Sequence, residues 1–172
     1  GALTIGTGMT IRSTGTGGGT VGSGTLALTN QGLIRADAGG GTSDVTGGTT
    51  GARWINTGTL QANGGVLQLL GFWNNSGGTL DVQSGTLDLG GTVATAQLGT
   101  LTNAGTGGVT ILNGTLENTG QTLALDGTAV TGTGSIRHSG TIQGGTVTAV
   151  NGAALTTTTF DAATLRGGVT LD

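Results

Sequence analysis

The stretch WINTGTLQANGGVLQLLG (54–71), followed by FWNNSGGTLDVQSGTLDLGG (72–91), says one thing twice. Leu60 and Leu80 are twenty residues apart (80 − 60), as are Leu67 and Leu87 (87 − 67). Trp54 and Trp73 are nineteen apart (73 − 54), and a spare glycine, Gly78, absorbs the difference. A wider landmark extends the pattern: an apolar residue, a spacer, Asn (once His), a spacer and Gly. It recurs as LTNQG (28–32), WINTG (54–58), WNNSG (73–77), LTNAG (101–105), LENTG (116–120) and IRHSG (136–140).

Between landmarks the chain alternates. In TLQA (59–62), VLQL (66–69), TLDV (79–82), TLDL (86–89) and TLAL (122–125) the second and fourth residues are apolar. Period-two alternation over four or five residues marks a short strand with one buried face. Turn phrases such as ANGG, QSG, LDG and NTG bound each strand. Ordering about 20 residues costs roughly 20–40 kcal/mol of backbone entropy. Four to six buried aliphatic side chains return only about 1.5–3 kcal/mol each. Such a unit cannot stand alone and gains stability by stacking on copies of itself. The expected fold class is therefore all-β: a right-handed parallel β-helix, or β-solenoid, of about 20 residues per turn. Right-handedness follows from the rule for parallel crossovers. Stacked Asn56 and Asn75 are expected to form an amide ladder at a corner.

Composition agrees. The 172 residues include 40 Gly, no Pro and no Cys, with 8% charged and 2% aromatic residues. Mean hydropathy is +0.16, too high for a disordered chain of such low net charge. Missing proline suits ladders that need every N–H. All five basic residues are arginines (Arg12, Arg35, Arg53, Arg137, Arg166), and the net charge is −3. With no basic footprint, nucleic acid is excluded as an expected partner. No apolar run reaches the roughly 18 residues of a bilayer span, so direct membrane insertion of this segment is not expected. The chain opens already in strand-like alternation, GALTIGTG, as an excised interior segment or a mature form would. Residues 1–172 read as one solenoid segment of a longer chain. Two Gly/Thr-rich stretches, 13–24 and 38–51, are expected as loop excursions from the rod.

The LxNxGTL phrase followed by GxLxLGG, repeated along most of the chain and clearest over 54–145, resembles the parallel β-helix of filamentous-haemagglutinin-like exoproteins and autotransporter passengers. The resemblance implies a bacterial secreted or cell-surface adhesin or fibre, and it transfers no catalytic residue. Its motif belongs to the scaffold, so function rests on expectation: a structural, non-enzymatic rod or stalk that self-associates end to end into filaments. A host or cell-surface glycan or protein receptor is the other expected partner.

Candidate chemistry is sparse. Asp81 and Asp88 recur in two TLD phrases and face outward, as a carboxylate pair of a glycan-cleaving enzyme would. A corner separates them and no basic residue accompanies them, so solvation of the outer face is the stronger reading. His138, beside Arg137, fills the landmark slot of Asn and lacks partners for catalysis. No cofactor or metal is expected: GGGTSD (39–44) lacks the Gly-x-Asp spacing of calcium repeats, and a phosphate loop needs the lysine this chain does not have. Trp54, Phe72 and Trp73 hold nearly all the aromatic content. Exposed and stacked, they would make a contact platform for a glycan or other partner; buried, they would plug a wide turn, and the buried reading comes first. An ice-binding solenoid is the remaining alternative. Its first outward column is Thr (Thr59, Thr79, Thr122, Thr141), but the second reads Gln61, Asp81, Ala124, Gln143.

Overall fold

A computed structural model describes residues 1–13, 15–37, 41–103, 108–111, 114–125, 130–131, 136–138, 140–149, 154–155, 159–167 and 170–171. The chain is a β-solenoid: 61% strand, with coils stacked in parallel. A single 3-10 turn, Thr95–Gln97, is the helical element among the described residues.

Three faces repeat along the rod. On the first, Ala2–Ile5, Ala27–Asn30, Trp54–Asn56 and Trp73–Asn74 lie side by side. A bridge from Phe72 to Thr92 leads on to Thr92–Ala94, Thr115–Glu117, Thr141–Gln143 and Thr159–Asp161. The second face starts at Thr10–Ser13 and Leu33–Asp37, the third at Gly19–Gly22 and Thr42–Thr46. The long strands Thr59–Leu69 and Thr79–Asp88 run through the corner and serve both faces.

Register follows the apolar pattern. Ile11, Ile34, Leu60, Leu80, Leu101 and Val130 are successive Cα partners on the second face. From Ile11 to Val130 is 119 residues (130 − 11) in five steps, about 24 per turn. That corrects the expected 20. Individual steps are 23, 26, 20, 21 and 29 residues, so Leu60–Leu80–Leu101 is merely the tightest part of this column. Leu60, Leu67, Leu80 and Leu87 are fully buried, each roofing the next. At roughly 1.5–3 kcal/mol per buried side chain, these columns supply the stability one coil lacks alone.

A second correction concerns the two Gly/Thr-rich stretches. Each contains a strand, not only loop: Gly19–Gly22 and Thr42–Thr46 pair in register, and Val45 is fully buried. In a parallel stack the neighbouring coil supplies the hydrogen bonds, so low β propensity does not prevent pairing. Here the inner column thins from Leu87 and Leu67 to Ser43 and then Gly19. A cavity of about 130 Å³ results, walled by Ile11, Val21, Ile34 and Ser43.

A backbone bond between a glycine carbonyl and a threonine N–H recurs at the corners. Gly71, Gly91, Gly114 and Gly140 each accept the backbone N–H of a threonine one coil on: Thr92 at 2.7 Å, Thr115 at 2.7 Å, Thr141 at 2.8 Å and Thr159 at 2.9 Å. Gly32 and Gly58 do the same for Thr59 and Thr79 at another corner. Gly71 has φ +73°, and a Cβ there would lie 2.1 Å from the carbonyl oxygen of Gly47. Only glycine allows backbones to stack so closely in that conformation.

Candidate functional site

The amide ladder anticipated at the Asn landmark is present and longer than two rungs. Asn30 donates its Nδ2 to Asn56 Oδ1 at 2.6 Å, and Asn56 donates to Asn75 Oδ1 at 2.5 Å. Asn75 passes the chain on to the carbonyl of Leu98 at 2.6 Å. One coil further, Asn118 accepts from Thr95 Oγ1 at 2.8 Å and donates to the carbonyl of Gly144. All four asparagines are fully buried. Gly78, the spare residue of the repeat, lies against this ladder; a Cβ there would sit 2.2 Å from Asn56 Nδ2.

The aromatic residues are built into the same face. Trp54 and Trp73 are Cα partners on adjacent coils, stacked with ring centroids 6.2 Å apart and planes at 29°. Each indole N–H donates to a backbone carbonyl at 2.9 Å, Trp54 to Leu70 and Trp73 to Gly90. Both are fully buried, so neither presents a ring to solvent. Of the three aromatics proposed as contacts, Phe72 alone is partly exposed. The Arg53 guanidinium lies 6.0 Å from its ring centroid, donates to the carbonyl of Thr92 at 2.9 Å and pairs with Glu117. Arg53 is thus a strap along the outside of several coils.

Outward side chains on the second and third faces form rung-to-rung pairs. Gln61 donates to Asp81 at 2.6 Å and Gln68 to Asp88 at 2.9 Å; Asp88 is buried, which corrects the expectation that it solvates the outer face. Gln83 and Thr102 add further bonds to Asp81. Partial burial pushes the Asp81 carboxyl up, but the bonds from Gln61, Gln83 and Thr102 outweigh it and hold it below the usual range. A general acid needs the opposite shift. Asp81 and Asp88 sit on different faces of the bulged strand Thr79–Asp88, each with its own glutamine.

Sequence reasoning did not single out Asp37. Arg12 Nε donates to Oδ2 at 2.7 Å, Arg35 Nε to Oδ1 at 2.6 Å and Asn63 Nδ2 to Oδ1 at 2.9 Å. The Asn63 bond, followed by the arginines, outweighs burial and lowers the Asp37 pKa to about 2. Arg35 is two residues from Asp37 on the same strand, whereas Arg12 and Asn63 are 25 and 26 residues away, so only the coil register reveals those two as neighbours. The side chains of Arg137 and His138 lie outside the described residues. No helix among the described residues is long and apolar enough to cross a membrane. No family model, curated protein or solved structure matches the chain.

Proposed function

We propose that this chain is a structural, non-enzymatic rod segment of a bacterial secreted or cell-surface adhesin or fibre. One observation carries the reading: the polar groups of successive coils are spent on one another. Buried amides bond to amides, corner glycines to threonines, and outward glutamines to aspartates. Such ladders hold a shape, and they keep Asp81 and Asp88 apart, each on its own glutamine. Asp81, with its lowered pKa, is poorly suited to acid catalysis. The resemblance of the LxNxGTL phrase to exported β-helices supports an extracellular setting. End-to-end self-association into filaments extends the same idea, because a parallel coil can pair with another coil through its backbone edge. A glycan or protein receptor on the host or cell surface remains the partner this role implies.

Neither alternative gains a favouring observation. Thr59, Thr79 and Thr100 do align in register, but the companion column reads Gln61, Asp81, Thr102, which breaks a paired threonine array for ice.

Single-molecule pulling tests the rod. The expected record is peeling in increments of one coil, about 24 residues, or roughly 80 Å of contour at about 3.4 Å per residue. A single rupture at low force would argue against a load-bearing role. Electron micrographs across a concentration series test assembly, with filaments expected and compact monomers at every concentration counting against it.

A further inference from the structure

Arg12 and Arg35 are Cα partners on adjacent coils of the second face. Their side chains are 50% and 28% exposed. Each uses only Nε on the protein, one on each oxygen of Asp37. Their Nη groups have no partner among the described residues. Arg53 differs, because both of its Nη groups are engaged, on Thr92 and Glu117. One carboxylate against two guanidinium groups leaves a surplus positive charge. One guanidinium already balances the charge of Asp37, whose carboxylate also accepts from Asn63.

A guanidinium is a planar fork, so fixing Nε orients the remaining donors on the far side. Stacked coils set neighbouring rungs about 4.8 Å apart, which places two such forks side by side. We propose that Arg12 and Arg35 form a two-guanidinium site for a tetrahedral oxyanion, a sulfate or phosphate, free or as an ester on a polymer. Charge-assisted bonds from paired arginines suit that chemistry. Asp37 competes for the charge and keeps the affinity for a free ion modest, while a polymer carrying many such groups gains by multivalency. The site is independent of the rod reading.

The test is a titration of the full chain with sodium sulfate at constant ionic strength, read by the NMR signals of the arginine Nε–H groups. Saturable shifts at Arg12 and Arg35, but not at Arg53, are expected in the millimolar range. Arg12→Gln and Arg35→Gln should each weaken binding by about tenfold or more, and Arg53→Gln should leave it unchanged. Dextran sulfate against plain dextran separates the sources. Tight, Arg12-dependent retention of the sulfated polymer alone identifies an ester ligand, and comparable affinity for the inorganic ion identifies a free one. Uniform or non-saturating shifts in the wild-type chain would overturn the proposal, as would binding that survives in Arg12→Gln. Arg12 is half exposed, so that variant leaves the core intact.

Discussion

Asn56 Nδ2 donates to Asn75 Oδ1 at 2.5 Å while both amides are shut off from water. Each amide in the ladder offers a donor and an acceptor, so each coil satisfies the one before and the one after. Asn56→Ala strips Asn75 Oδ1 of its donor and Asn30 Nδ2 of its side-chain acceptor, and it leaves the Gly58 carbonyl with the Thr79 N–H alone. The expected cost is about 2–4 kcal/mol, measured by chemical denaturation. Asn56→Asp should be worse at pH 7, because a carboxylate faces those same oxygens with no hydrogen to give. A cost below that of the surface change Asn74→Ala would contradict the buried ladder.

The stacked tryptophans make an optical prediction. With both indoles enclosed and hydrogen-bonded, emission of the folded chain should be blue-shifted and nearly insensitive to iodide. Adding sugars should leave the spectrum unchanged. Trp73→Ala should cost about 3–5 kcal/mol. Strong quenching in the folded state would mean that the rings are accessible after all.

Corner glycines can be ranked. Gly71→Ala combines a left-handed backbone with a Cβ against the Gly47 carbonyl and should cost about 2–4 kcal/mol. Gly51→Ala meets nothing within 4 Å and should stay within about 0.5 kcal/mol of the parent. Equal melting temperatures for the two variants would refute close stacking at the corner.

Acid should reach the Asp37 cluster late. Its carboxyl titrates at about 2 in the folded chain against 3.8 ordinarily. The stability it contributes is complete above the unfolded value and disappears as pH falls through the folded one. Between about pH 4 and pH 2 the parent should therefore lose stability, and Asp37→Asn should lose less over the same interval. Denaturant midpoints at four or five pH values would show the difference, and identical slopes would exclude it.

How far the sequence could be read is clearest at particular residues. Leu60 over Leu80, and Asn56 over Asn75, were visible because period-two alternation and a repeated Asn landmark report side-chain direction and corner position directly. The coil length was not, since 54–91 holds steps of 19 and 20 residues while others run from 16 to 29. The strand Gly19–Gly22 was hidden for a different reason. Its pairing comes from Thr42–Thr46 in the next coil, and nothing in GTVG itself demands extension. Asp37 was missed because Arg12 and Asn63 reach it from the coils on either side, and a register of twenty would not bring them together.

The Gly-Thr corners carry one more consequence. Each is the same backbone handshake, made without side chains, so one circuit of the chain can follow another with no interface to redesign. Duplicating or deleting a block of about 24 residues would lengthen or shorten the shaft while repeating the same backbone corner. Reach is thus a quantity that gene duplication can adjust in whole steps.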